Sequence, residues 1–127
     1  MLIFGEGNKV TRINGLTDYL KDFSRGNIKL YYIGDIDRAG VGFLYGARSA
    51  NPTLEIQPFI DLYKLMVSKV IVDSMIDTDD ARNIEYTKEF LEYFTSEEAA
   101  IIQEILDKNK RIPQEILNYQ DYLKIVY

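Results

Sequence analysis

The sequence predicts an α/β fold, a mainly parallel sheet of about four strands flanked by helices, with a helical C-terminal extension. Three observations predict it. Short apolar runs alternate with stretches whose apolar residues recur every three or four positions, which is the order that builds crossover connections in a parallel sheet. Acidic and glycine residues follow the first two apolar runs directly, at Glu6-Gly7 and at Gly34-Asp35-Ile36-Asp37-Arg38-Ala39-Gly40. Beyond residue 80 the pattern becomes helical only, so residues 1–80 are expected to form the α/β core and residues 81–127 an extension packed on the same domain.

Leu2-Ile3-Phe4-Gly5 is read as the first strand, and Val10, Ile13, Leu16, Leu20 and Phe23 lie on one face of the helix expected after it. Arg25-Gly26-Asn27 breaks that helix, and Ile28-Lys29-Leu30-Tyr31-Tyr32-Ile33 reads as a buried second strand. Ala39, Phe43, Leu44 and Ala47 predict a short helix, its start loosened by Gly40 and Gly42 and its end set by Asn51-Pro52. Thr53 to Gln57 is expected as a third strand that stops at Pro58, with a helical turn from Phe59 to Met66. Val70-Ile71-Val72 is read either as a fourth strand or as a continuation of that helix. Farther on, Tyr86, Phe90 and Tyr93-Phe94 share a stripe, Thr95-Ser96-Glu97-Glu98 has the form of a capping box, and Pro113 is expected to open a last helix containing Leu117, Tyr119 and Leu123.

Composition narrows the chemistry. The chain has 127 residues, enough for one core, with neither cysteine nor histidine, which excludes disulfides, thiolate zinc sites and imidazole bases. No stretch approaches the roughly 20 apolar residues of a membrane helix, so a soluble, cytoplasmic protein is expected. Met1 runs almost directly into the first apolar run, which predicts a piece of a longer protein with no leader. The net charge is −5, yet it is uneven: residues 1–50 carry +2 and residues 51–127 carry −7. The acidity therefore belongs mainly to the back half, away from the candidate site.

Glu6, Asp35 and Asp37 all fall at expected carboxyl ends of strands, where open parallel sheets gather their ligands. Three carboxylates packed together repel one another unless a cation sits among them, and an all-oxygen set suits Mg²⁺ or Mn²⁺ better than zinc. The plainer reading of Asp35-Ile36-Asp37 is turn chemistry or a helix cap. Lys9 and Arg12 after the first acidic position, and Arg38 and Arg48 around the second, are candidates to contact phosphate. Gly7-Asn8-Lys9 lacks the full pattern of a phosphate-binding Walker loop.

A strand ending in Glu-Gly, a helix, then a strand ending in Asp-x-Asp with a glycine soon after resembles the Toprim fold of topoisomerases, bacterial primases and certain nucleases. The stretch from Gly34 to Gly40, followed by Phe43-Leu44 and Arg48, is closer still to the Toprim domain of the topoisomerase VI A subunit and of the JetD-like nuclease subunit of Wadjet anti-plasmid systems. That resemblance covers residues 2–67. Arg111-Ile112-Pro113-Gln114-Glu115 resembles the Gln-Glu segment near the end of JetD-like proteins, with a proline before Gln114 where that family tends to have an acidic residue. As a purely structural feature, Gln114-Glu115 is the first turn of a helix.

The resemblance implies Mg²⁺-dependent endonuclease chemistry on DNA, with Asp35 and Asp37 as metal ligands and Glu6 either ligating metal or moving a proton. DNA reached through the full-length protein, condensin-like defence subunits and a second copy of the chain are the partners it implies. Topoisomerase VI-like enzymes take a tyrosine nucleophile from a separate helix-turn-helix region that is not recognisable here, so water is the expected nucleophile. Two rivals stay open. A haloacid dehalogenase-like phosphatase would use Asp35 as nucleophile and Asp37 as general acid, but leaves Glu6 without a role and has threonine or valine where this chain has Arg38. A non-catalytic Toprim-like module would use the acidic back half as a docking surface.

Overall fold

The computed structural model describes residues 2–4, 29–70, 76–77 and 87–126. Three strands form a parallel sheet in the order β1 (Leu2–Phe4), β2 (Lys29–Ile33), β3 (Glu55–Pro58). Helix α1 (Arg38–Ala50) connects β2 to β3, and α2 (Ile60–Ser68) follows β3, so the alternation expected from the sequence holds from β2 onward. Strand β4 (Ile76–Asp77), α3 (Thr87–Leu91), α4 (Ser96–Asp107), β5 (Lys110–Arg111), a 3-10 turn at Gln114–Ile116 and α5 (Tyr119–Val126) complete the described chain.

Strand β2 is buried on the face of Leu30 and Tyr32, and its other face goes under only at Ile33. Leu30, Tyr32 and Ile33 are fully buried, while Lys29 is exposed and Tyr31 is 38% exposed with its ring against Phe59 at 5.3 Å. The apolar run thus alternates, because its tyrosine and lysine can keep polar ends in water. Strand β3 does not stop before Pro58. Proline lacks a donor, but the next N–H, that of Phe59, donates to the Tyr32 carbonyl at 2.8 Å and continues the ladder. The fourth parallel strand is not seen among the described residues: Val70 lies in the loop after α2, and Ile71 and Val72 lie outside them, as does the helix expected over Val10–Phe23.

Residues from both halves of the chain enter one apolar cluster. Leu30 and Ile56 from the sheet, Leu44 from α1 and Met66 from α2 pack with Phe90, Ile102, Ile105 and Leu117. Phe90 sits edge-on to Tyr63 at 5.3 Å and to Phe94 at 5.2 Å, an arrangement that sets ring edges against ring faces. The stripe read through residue 94 forms only the short α3, because a turn over residues 92–94 leads into the next cap.

That cap has the predicted form. The Thr95 hydroxyl accepts from Glu98 N at 3.2 Å while Glu98 Oε1 accepts from Thr95 N at 2.9 Å, so two orphan donors at the start of α4 are satisfied reciprocally. The Thr95 backbone bond, followed by the Thr95 hydroxyl and Lys64, holds the Glu98 carboxyl below its ordinary value. Thr95→Ala is expected to destabilise the protein by about 1 kcal/mol in chemical denaturation.

Helix α4 ends at Lys108, and Asn109 takes φ 52°, a left-handed conformation that asparagine tolerates better than most residues. The reversal sends Lys110–Arg111 antiparallel along β4 and carries Ile112 back to Ile36. Pro113 therefore does not open the last helix. It precedes the 3-10 turn, Leu117 is extended and buried, and α5 starts afresh at Tyr119.

Candidate functional site

The loop between β2 and α1 carries both aspartates of the Asp-x-Asp motif. Asp37 is buried, at 5% exposure, and is the N-cap of α1: its Oδ1 accepts from Gly40 N at 2.6 Å. The helix-cap reading of that residue is thus physically realised. A carboxylate has further lone pairs, so capping leaves it able to ligate a cation. Gly40 does not loosen the helix start; it permits a close approach, since a Cβ there would stand 2.0 Å from the Asp35 carbonyl oxygen.

Asp35 is half-buried, and its Oδ1 accepts from the backbone N–H of Gln114 at 2.7 Å. Between the two aspartates, Ile36 exchanges both backbone hydrogen bonds with Ile112, at 2.9 and 3.0 Å. The motif is therefore built from two distant pieces of chain, the end of β2 and the segment that follows α4. Gln114-Glu115 stands out in the sequence only by resemblance, and no residue type there signals that the Gln114 amide reaches Asp35. Glu115 itself is exposed.

The remaining predicted site residues divide into two groups. Glu6, Lys9 and Arg12 lie outside the described residues. Arg38 and Arg48 are described, and both guanidinium groups contact protein. Arg38 Nε donates to Leu106 O at 3.1 Å, at the end of α4. Arg48 Nε donates to Ile56 O at 2.7 Å, its Nη2 lies 3.3 Å from the Tyr93 hydroxyl, and its Cζ stands 5.1 Å from the Tyr45 ring centroid. Among the described residues the buried Nε of Arg111 finds no hydrogen-bond partner.

Two buried tyrosines stand behind the aspartates. The Tyr32 hydroxyl donates to Gly40 O at 3.3 Å, and the Tyr63 hydroxyl meets the Gly34 backbone. Burial raises both phenols well above their ordinary value, and the charges of Asp35 and Asp37 raise them further. They stay protonated at neutral pH.

The donor chemistry suits a hard divalent cation. Among the described residues Asp35 Oδ2 has no hydrogen-bond partner, and oxygen is the only kind of ligand atom the motif offers. No group of three acidic, histidine or cysteine residues occurs among the described residues, so a third protein ligand would have to come from elsewhere, such as Glu6. No helix among the described residues is long and apolar enough to cross a membrane.

The chain is thus of the α/β class, with a parallel sheet and an acidic pair at the carboxyl end of its middle described strand, the end at which open α/β sheets gather ligands. The family model for the C-terminal region of the Wadjet protein JetD matches residues 1–126. The chain belongs to that family, which ties it to Wadjet anti-plasmid defence. No curated protein and no solved structure matches it.

Proposed function

We propose that this chain is the metal-binding catalytic part of a Wadjet nuclease subunit, hydrolysing DNA phosphodiesters with Mg²⁺ or Mn²⁺ in a Toprim-like core. The observation that carries the reading is the Asp35-Ile36-Asp37 loop: two carboxylates at the end of a parallel strand, each with one oxygen tied to a backbone N–H, in a chain of the JetD C-terminal family. Asp35 and Asp37 would hold the cation, with Glu6 as a further ligand or a proton carrier. When bound, the ion supplies charge neutralisation at the phosphate and a lowered pKa for an attacking water.

The chain's own residues do the rest. Asp37 anchors α1 so that the loop keeps its shape, and water is the nucleophile in this reading. Lys9, Arg12, Arg38 and Arg48 are phosphate contacts in this reading. DNA would reach the site through the full-length protein and condensin-like subunits in the cytoplasm, with a second copy of the chain as a further partner.

The test is plasmid nicking by the full-length parent with Mg²⁺ or Mn²⁺. Asp35→Ala and Glu6→Ala are each expected to lower the rate about 100-fold or more. Equal cleavage by all three proteins would leave the interaction module as the better reading, and phosphate release from a small monoester would favour the phosphatase.

A further inference from the structure

Asp35 is gripped from 79 residues away in the chain. Its carboxylate accepts the Gln114 N–H at 2.7 Å, its neighbour Ile36 is paired on both sides with Ile112, and Arg38 Nε holds the end of α4 at Leu106 O. Ile36 and Ile112 are both buried, so this junction sits on core packing and not on a mobile surface. Three ties join the motif to the single stretch 106–114.

We propose that the backbone amide of Gln114 is a positioning group of the metal site, fixing the rotamer of Asp35 in which Oδ2 meets the cation. This rests on the metal-binding reading above. An aspartate free to rotate must lose that freedom when it ligates, whereas one already held by a charge-assisted bond does not. Hydrogen-bond partners of ligating carboxylates commonly change metal affinity by about 10–100-fold. Because the donor is main chain, the Gln114 side chain is dispensable to this role, and only a residue without an N–H removes it.

Proline is that residue, and the site is built to accept it. Gln114 is the first residue of the 3-10 turn, and Pro113 before it is already extended at φ −71° and ψ 141°, the conformation a following proline requires. Gln114→Pro therefore deletes the donor without a change in backbone conformation, and its Cδ, standing where the N–H was, forces Asp35 Oδ1 out of its held position, while Gln114→Ala keeps the donor and removes only the side chain, which lies 3.4 Å from the Tyr122 hydroxyl.

Mg²⁺ titration of the chain, followed by NMR amide shifts of residues 35–40, separates the cases. Wild type and Gln114→Ala should saturate within about twofold of each other, and Gln114→Pro should need about ten times more Mg²⁺. Equal saturation of the proline variant and wild type overturns the role, as does an alanine variant as weak as the proline one. Should Gln114→Pro fail to fold, the wild-type Gln114 amide proton decides: it should move in step with Asp35 during the titration, and a stationary signal overturns the proposal. A wild type as indifferent to Mg²⁺ as Asp35→Ala overturns the metal reading itself, a result distinct from the others.

Discussion

Gly40→Ala is expected to lower stability by about 3 kcal/mol and to weaken the proposed Mg²⁺ binding with it. A Cβ at residue 40 would stand 2.0 Å from the Asp35 carbonyl oxygen, 3.1 Å from its carbonyl carbon and 3.0 Å from Asp37 Oδ1. The nearest obstacle is main chain, so no side-chain rotation relieves it. Neither partner can retreat cheaply. Ile36, next to the obstructing carbonyl, is held by both bonds to Ile112, and Gly40 is held by the Asp37 cap at its N–H and by the Tyr32 hydroxyl at its carbonyl.

Gly34→Ala gives the contrast. Its nearest obstacles are all on one side chain, the Tyr32 hydroxyl at 2.9 Å and ring carbons at 3.2 and 3.3 Å, which is buried but can shift further than main chain, so the expected loss is smaller, about 1–2 kcal/mol. Denaturant unfolding of both variants checks the order, and Mg²⁺ titration checks the coupling to the site. A Gly40→Ala protein within about 1 kcal/mol of wild type would remove the close approach of helix and loop on which the motif's shape depends.

Legibility followed sequence separation. The Thr95–Glu98 box and the Asp37 cap were readable because each bond spans three residues and depends on side chains of recognisable type. The parallel strands were readable from apolar runs bounded by glycine and acidic residues. Lys110–Arg111 is two residues long and followed by a single bridge at Ile112, too short to show any period, so its return to the motif had no pattern to announce it.

Backbone partners hid the rest. Arg38 and Arg48 were picked out by charge, but their Nε groups donate to the carbonyls of Leu106 and Ile56, and a carbonyl leaves no trace in residue identity. The Gln114 amide at Asp35 is the same case reversed, with a main-chain donor. Pro113 was read as a helix opener because proline suits a first turn, and it does precede one, but a 3-10 turn that ends at once.

Above pH 10 the protein should lose stability steeply, because Tyr32, Tyr45 and Tyr63 are all buried phenols that resist ionisation in the fold. Burial is the first cause in each case; for Tyr45 it wins over the nearby Arg48 charge and lifts the phenol to about 12. The sign follows from linkage. Once the pH passes 10, where an unfolded tyrosine releases its proton, the unfolded chain binds fewer protons than the native one, so unfolding becomes more favourable as pH rises. The stabilisation is complete below pH 10 and disappears as the pH climbs through the raised folded values. Each such phenol contributes a slope of up to about 1.4 kcal/mol per pH unit, and Tyr32 and Tyr63 sustain theirs over the widest window. Denaturant midpoints measured from pH 8 to 12 should stay flat and then fall. Tyr63→Phe should start from a similar midpoint and fall less steeply, because one late-ionising phenol is gone. A wild-type midpoint that does not change across that range would mean that these hydroxyls ionise as freely in the fold as in water.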